Sequence, residues 1–159
     1  MHIPKEQLNG KVTFHWRISR VFRTAFFSMP FCAIMFIALI AFGYLYLAII
    51  LPILYILFRF FYALIWPSFE HIYYRYELRE HDLLVQQGVL FRKWSSIPLH
   101  RIQHIDMHQG PLQRIIGLVT LQIYTASGTM HDGAIPGLLP YVAQELQQKI
   151  ISKRGDDGV

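Results

Sequence analysis

The segment from Thr24 to Phe58 contains no Asp, Glu, Lys, Arg or His, although charged residues occur throughout both ends of the chain. This apolar run is about 35 residues long, whereas one transmembrane helix needs only about 20. It also continues far beyond the apolar core of a secretory signal peptide, which ends after roughly 7 to 15 residues. The sequence therefore predicts a membrane protein with two spans that form a hairpin.

A glycine is expected to form the turn between the two spans. Gly43 lies near the middle of the apolar run, in residues 41–44, and it can adopt backbone conformations that other residues avoid. We therefore expect the first span at residues 21–40 and the second at residues 45–66. Pro52 falls inside the second span, where we expect a kink whose freed carbonyl is satisfied by neighbouring groups.

Basic residues flank the hairpin on one side only. Lysines and arginines precede the first span and follow the second, whereas the connecting turn carries no charge. The positive-inside rule then places both termini in the cytoplasm. The candidate membrane-surface basic residues are Arg17, Arg20, Arg23, Arg59, Arg92 and Lys93.

Two of these basic positions have alternative interpretations. Arg59 lies inside the second predicted span, where a charge marks either a functional site or a side chain that snorkels to the headgroups. Trp66 is about 10 Å further along the helix and neither span holds an acidic partner, so we favour snorkelling. Arg92 and Lys93 form either a polar turn or a membrane-facing basic pair.

The composition favours lipid over nucleic acid as a partner. Charged residues make up 16% of the chain, against about 25% in a typical soluble domain. The formal net charge is +5, but the basic residues are scattered, which indicates a basic rim beside an anionic membrane and no nucleic-acid partner. Cys32 is the single cysteine, so we expect neither a disulfide framework nor a cysteine metal cluster.

After Trp66 and Pro67 the hydrophobic period changes to two, which is typical of half-buried strands. The predicted strands cover residues 71–78, 83–89, 94–99, 102–107, 119–123 and 129–135, with turns at residues 80–82 and at Ser127 and Gly128. Gly88 interrupts the second of these strands, at residues 83–89.

Two helices are predicted in the same region. Pro111 and Gly117 match the proline-first, glycine-last asymmetry of a short helix. A second helix begins near Pro140, has apolar residues at helical spacing and ends in basic residues by Arg154. The predicted organisation is an N-terminal cytoplasmic segment (1–20), a transmembrane hairpin (21–66), a cytoplasmic β domain (67–154) and a disordered tail (155–159).

His100, His104 and His108 are the strongest candidates for metal chemistry. A spacing of four places ligands about 6 Å apart on a helix, but about 13 Å apart on a strand. The surrounding alternation predicts a strand with His104 and Asp106 outward, on the same face as Ile102, so we expect solvated histidines and no metal. No nucleophile elbow, phosphate-binding glycine loop or HExxH pair occurs, so we predict no catalytic residue and no cofactor.

The most distinctive polar loop lies before and within the short helix. It is either a tight turn that starts this helix, with Arg114 in solvent, or a docking surface for another domain or an anionic group. The residues of this candidate interaction surface are Gln109, Gly110, Pro111, Gln113 and Arg114.

Three segments of the β domain form a recognisable pattern. Trp94–Asp106 reads WSSIPLHRIQHID, Gln109–Leu118 reads QGPLQRIIGL and Leu121–Gly128 reads LQIYTASG. In this order, behind two spans, they closely resemble the membrane-flanked bacterial PH-like domain family, in particular its short YdbS-like members. The resemblance covers nearly all of the chain. It implies a membrane α-hairpin of two transmembrane helices plus a mainly β PH-like barrel with a C-terminal helix.

The resemblance also implies that the chain is a multi-pass protein of the bacterial cell membrane and has no established catalytic residues. It further implies that the partner is a larger membrane protein with related PH-like domains. Three function classes follow, in descending order. The first is a non-enzymatic membrane-tethered interaction module, in contact with membrane lipids and with that larger protein or further copies of itself. The second is a reader of anionic lipid headgroups at the cytoplasmic face. The third is a membrane-bound metal-dependent enzyme.

Overall fold

The computed structural model describes residues 4–125 and 133–156, and the chain divides into two compact units. One unit is the helical segment Trp16–Ser68. The other combines the N-terminal segment up to His15 with the chain from Phe69 onward. Residues 4–15 of the predicted N-terminal segment (1–20) thus form part of the β domain, whereas residues 16–20 belong to the helical unit.

Two long helices confirm the predicted hairpin. They are α1 (Lys11–Ala41) and α2 (Leu45–Tyr73). Gly43 follows α1 with a φ of +81°, and the amide of Tyr44 donates to the carbonyl of Leu39 at 2.9 Å. A left-handed glycine in this position satisfies the last carbonyls of a helix and turns the chain away from it. Gly43 therefore forms the turn, as predicted.

Both helices extend beyond the predicted spans. Because α2 continues through Tyr73, the predicted strand at residues 71–78 is wrong in its first three residues. The amide of Tyr74 still donates to the carbonyl of Glu70 at 2.9 Å, which is a helical hydrogen bond. Once a helix is nucleated, each further residue adds one such bond, so the helix prevails over a short strand at its end.

The surface of the two helices is apolar and largely uncovered. Both are long and apolar enough to cross a membrane, and only 6% and 11% of their most apolar stretches are buried within the protein. Large side chains such as Phe22, Met29 and Tyr46 are more than two-thirds exposed. The core helix of a soluble protein buries such residues, so this surface requires lipid.

The β domain contains two antiparallel sheets rather than one closed barrel among the described residues. The strand order is β1-β2-β3-β4 in the first sheet and β5-β6-β7 in the second. The strands are β1 (Glu6–Gln7), β2 (Arg75–Leu78), β3 (Asp82–Gln87), β4 (Lys93–Pro98), β5 (Ile102–His108), β6 (Val119–Thr125) and β7 (Gly133–Leu138).

The N-terminal strand β1 is a feature that the sequence did not predict. Glu6 lies opposite Tyr76, and Gln7 lies opposite Arg75. Two residues are too few to show an alternating pattern, so only the partner strand makes this segment a strand. Burial, together with the carboxylate of Glu6, raises the pKa of Tyr76 and keeps its hydroxyl protonated.

The two smaller helices confirm their predictions. They are α3 (Pro111–Ile116) and α4 (Pro140–Asp156). Helix α4 continues beyond the predicted end at Arg154, and the remaining predicted tail, residues 157–159, lies outside the described residues. The predicted turn at residues 127–128 and the first part of the last predicted strand also lie outside them.

The core of the β domain lies between the two sheets. A Cβ added at Gly133 on β7 would collide with the side chain of Ile97 on β4, so the sheets face each other at close range. The fully buried large side chains include Leu83, Leu99, Leu118, Leu121, Ile123, Ile135 and Ile150. The predicted alternation on β6 is confirmed, since Val119, Leu121 and Ile123 all point into this core.

Helix α4 bonds to both sheets. The Gln147 side-chain amide donates to the carbonyl of Ile105 on β5 at 3.0 Å. The Lys153 ammonium donates to the carbonyl of Arg79, between β2 and β3, at 3.0 Å. The apolar residues of the helix, Ala143, Leu146 and Ile150, are buried beneath it. The helix therefore ties together two sheets that share no strand.

One strand differs from the predicted alternation. A bulge in the pairing of β5 with β6 falls between Ile102 and His104, which places these two residues on different faces. Ile102 is buried, while His104 and Asp106 are exposed. The outward orientation of His104 and Asp106 is confirmed, but the prediction that Ile102 shares their face is wrong, because a bulge resets the two-residue period.

Gly137 offers a test of how the N-terminal segment joins the domain. Its φ is +69°, and an added Cβ would collide with the buried side chain of Val12. We expect Gly137→Ala to cost about 1–3 kcal/mol of folding free energy, since it combines backbone strain with a steric clash. Thermal unfolding in mild detergent, followed by circular dichroism, measures the loss.

The control is Gly10→Ala. No heavy atom lies within 4 Å of a Cβ added at Gly10. We expect its melting temperature to remain close to that of the wild type. Equal melting temperatures for the two variants would show that Val12 is not packed against β7.

Candidate interaction site

The turn into α3 is held by two glutamine side chains. Gln109 donates from Nε2 to the carbonyl of Leu118 at 2.9 Å. Gln113 accepts from the amide of Gly110 at 3.1 Å through Oε1 and donates to the Thr120 hydroxyl at 2.8 Å through Nε2. These bonds satisfy the start of the helix and attach it to β6, which holds the loop in one conformation in this structure.

The same geometry separates the predicted surface into inner and outer residues. Gln113 is only 8% exposed, and Gly110 is half-buried. Gln109, Pro111 and Arg114 are exposed and remain candidates for contact with a partner. The interpretation as a tight turn therefore fits Gln113, while the docking interpretation applies to the exposed members.

Ile115 belongs to this exposed surface, although the sequence analysis did not include it. Its side chain is 83% exposed, whereas the adjacent Ile116 is half-buried. The signal was present in the sequence as two consecutive isoleucines on a short helix, only one of which can face the core. We call Gln109, Pro111, Arg114 and Ile115 the α3 surface.

A second surface lies at the turn between β3 and β4. Gly88 starts this turn with a φ of +98°, and an added Cβ would collide with the carbonyl of Phe91. Leu90 is 76% exposed and Phe91 is 91% exposed. Arg92 and Lys93, the predicted basic pair, follow them and are also exposed. We call Leu90, Phe91, Arg92 and Lys93 the β3–β4 tip.

The guanidinium of Arg92 contacts an aromatic ring at the end of α2. Its central carbon lies 4.8 Å from the ring centroid of Tyr73, the last residue of α2. A cation over an aromatic face at this distance is attracted to the ring. The basic pair was predicted from the sequence, whereas the exposure of Leu90 and Phe91 directly before it was not. Their position in a turn was the available signal.

The predicted basic residues of the helical unit lie in different surroundings. Arg17 donates from Nη2 to the hydroxyl of Ser68 at 2.8 Å and so joins α1 to α2. Arg23 is exposed and Arg20 is half-buried. The Nε atom of Arg59 is buried and has no hydrogen-bond partner, and snorkelling of its terminal nitrogens stays a prediction.

The three histidines do not converge. His100 lies in a 3-10 turn, and His104 and His108 lie on β5, all of them exposed. His104 stacks on Tyr124, with ring centroids 4.2 Å apart, and its Nε2 lies 3.8 Å from a carboxylate oxygen of Asp106. Within residues 4–125 and 133–156, no three His, Cys, Asp or Glu side chains could hold a metal ion together.

Sequence similarity assigns the chain to a family. It matches the bacterial PH domain over residues 24–154 and therefore belongs to that family. It is similar to the UPF0699 transmembrane protein YdbS of Bacillus subtilis (strain 168), with 36% identity over 95 residues, which cover 58% of this chain and 58% of that protein. It is also similar to the UPF0699 transmembrane protein YdbT of the same organism, with 28% identity over 67 residues, or 40% of this chain and 14% of that protein. No solved structure matches the chain.

These findings confirm the YdbS-like resemblance and the membrane class. Both relatives are named transmembrane proteins, and this chain has two helices that are long and apolar enough to cross a membrane. The matched region covers less than two thirds of the length of either relative. The PH-like domain is a non-catalytic domain type, so the surfaces described above are candidates for binding.

Gln113 allows a test of how the α3 surface is supported. Replacing it with alanine leaves the Gly110 amide and the Thr120 hydroxyl without their partner. We expect Gln113→Ala to cost about 1–3 kcal/mol of folding free energy, measured by thermal unfolding in mild detergent. The exposed neighbour provides the control, since Arg114→Ala should stay within about 0.5 kcal/mol of the wild type. A larger loss at Arg114 than at Gln113 would contradict this account.

Proposed function

We propose that this chain is a non-enzymatic, membrane-tethered PH-like interaction module, and that it works as a subunit of a membrane complex with a larger related protein. The α3 surface carries this proposal. Ile115 is 83% exposed beside Arg114 and Pro111, on a helix whose backbone is fixed by buried hydrogen bonds. A rigid scaffold that presents an uncovered apolar side chain among polar ones is suited to protein docking.

The two relatives support a larger partner. The matched 67 residues make up only 14% of YdbT, so that protein is much longer than this chain. One organism thus contains a short relative and a long relative of the same chain. A short and a long protein with related domains can associate through related surfaces, and further copies of this chain are the alternative partner.

The helical unit supplies a second area for contact. Ala48 and Ala63 on α2 are buried, and small residues of this kind let membrane helices approach closely. Ala33, Ala38 and Ala41 on α1 are exposed and remain available to a neighbouring helix. Because lipid offers little hydrophobic driving force for helix association, such close packing is a main source of assembly energy in a bilayer.

The proposed location is the cell membrane of a bacterium, with both termini in the cytoplasm. This orientation is supported by two features of the sequence. Basic residues precede the apolar stretch of α1 and follow the apolar stretch of α2, and the turn at Gly43 carries no charge. The non-enzymatic assignment rests on the domain type and on the scattered, exposed histidines.

Crosslinking in native membranes tests the proposed docking surface. In a Cys32→Ser background, we expect single cysteines at Arg114 and Ile115 to form crosslinks to a partner chain with a short bifunctional thiol-to-amine reagent. A cysteine at Gln144, which is exposed on α4, serves as the control and should crosslink several-fold less. Absence of any crosslink from the α3 surface, together with a monomer in several mild detergents, would refute the proposal.

Reporter fusions test the orientation separately. Fusions that follow Lys5 and Val159 should both give the cytoplasmic signal, because the basic flanks remain on the side where the chain is made. An insertion at Gly43 should give the opposite signal, since the turn lies across the membrane from both ends. A non-cytoplasmic signal from either terminus would exclude a hairpin with both ends in the cytoplasm.

A further inference from the structure

We propose that the β3–β4 tip is a membrane-binding element. Leu90 and Phe91 insert into the headgroup region of an anionic bilayer, the one that α1 and α2 span, while Arg92 and Lys93 bind lipid phosphates. This inference goes beyond the proposed function, because it holds whether or not the chain has a protein partner.

Leu90 and Phe91 are exposed at the end of a paired hairpin. Leu90 and Phe91 are 76% and 91% exposed, which places two large apolar side chains in solvent at the end of a hairpin. The turn is tight, since Gly88 has a positive φ and its α-carbon faces the Phe91 carbonyl at close range. On either side, β3 and β4 are paired from Asp82 opposite Pro98 to Gln87 opposite Lys93. The two apolar side chains are thus held outward by a paired hairpin.

The β3–β4 tip also lies close to the end of α2. Arg92 contacts Tyr73, which ends α2, so the tip lies beside the point where the β domain leaves the helix. Tyr73 follows Trp66, the predicted interfacial residue, by seven positions, a length that is at most about 25 Å even for an extended chain. The tip is therefore tethered within reach of the bilayer surface, where its effective concentration is high.

The charge of the tip favours lipid rather than protein as the occupant. No Asp or Glu occurs between Asp82 and Asp106, and Asp82 lies opposite Pro98 at the far end of the hairpin, so the hairpin has no acidic residue near the basic pair. Apolar residues flanked by basic ones match a bilayer whose surface is anionic and whose interior is apolar. The cation–π contact with Tyr73 is not a hydrogen bond, so it leaves N–H groups of the Arg92 guanidinium able to donate to a phosphate.

The α3 surface provides an internal comparison. Ile115 is as exposed as Leu90 and belongs to the same compact unit. It follows Arg114 and is followed by Ile116 and Gly117, so no second basic residue lies beside it in the sequence. If exposure alone decided lipid binding, both the α3 surface and the β3–β4 tip would bind lipid. We expect only the tip to bind it.

The test uses the full chain with Cys32→Ser, reconstituted into vesicles of phosphatidylcholine and phosphatidylglycerol. A polarity-sensitive fluorophore is attached to a cysteine at Leu90 in one sample and at Ile115 in the other. We expect the Leu90 label to emit at shorter wavelength, to be quenched by lipids with a nitroxide near the headgroup, and to be several-fold less accessible to iodide than the Ile115 label. Both labels report from one domain, so a mixture of orientations in the vesicles affects them equally.

Two results would overturn the proposal. Equal iodide quenching at both positions, without quenching by the nitroxide lipids, would place the tip in water. Protection of the Leu90 label from both quenchers would show that protein covers the tip, either a second copy or another partner.

The charge component has its own variant. In the Leu90-labelled chain, Arg92→Gln with Lys93→Gln should reduce lipid quenching to the lower level that we expect in vesicles of phosphatidylcholine alone. The Ile115-labelled chain with the same two substitutions should retain its iodide accessibility, which shows that the domain is folded. Lipid quenching that is equal with and without phosphatidylglycerol, and unaffected by the double substitution, would overturn the role of the basic pair.

Discussion

The need to place an apolar, charge-free segment in lipid determines the arrangement of the rest of the chain. Inside a bilayer no water can satisfy backbone amides and carbonyls, so the segment must be helical, and its length requires two crossings. A hairpin returns the chain to the side on which it entered. The N-terminal residues and the residues after α2 therefore meet on one side, which allows β1 to pair with β2 although some seventy residues separate them in the sequence.

The β domain uses its polar side chains mainly to fix its own elements. Gln109 and Gln113 hold α3, and Gln147 and Lys153 attach α4 to the two sheets. The Tyr74 hydroxyl donates to the carbonyl of Ala134, and burial raises the pKa of this phenol, so it remains a protonated donor. Residues engaged in this way are poor candidates for chemistry. Among the described residues of the domain, those of the α3 surface and the β3–β4 tip are exposed instead, and they are our candidates for contact with other molecules.

These two surfaces differ in chemistry and therefore in the partners they fit. The α3 surface is a small mixed patch on a helix, which suits a second folded domain. The β3–β4 tip combines two apolar side chains with two positive charges, which suits an anionic bilayer. In the functions that we propose, the α3 surface binds a larger membrane protein and the β3–β4 tip binds lipid.

The sequence by itself determined the features that depend on local periodicity and on single turn residues. The charge-free run predicted α1 and α2, Gly43 their turn, the alternation at residues 119–123 strand β6, and Pro111 with Gly117 the bounds of α3. The tertiary structure decided the features that depend on long-range partners. These are the pairing of β1, the helical continuation of α2 to Tyr73, the bulge that buries Ile102, the inward position of Gln113, and the uncovered Leu90 and Phe91. A period along the chain identifies which residues share a face, but only the folded neighbours decide whether that face is covered, because burial is a property of packing and not of sequence order.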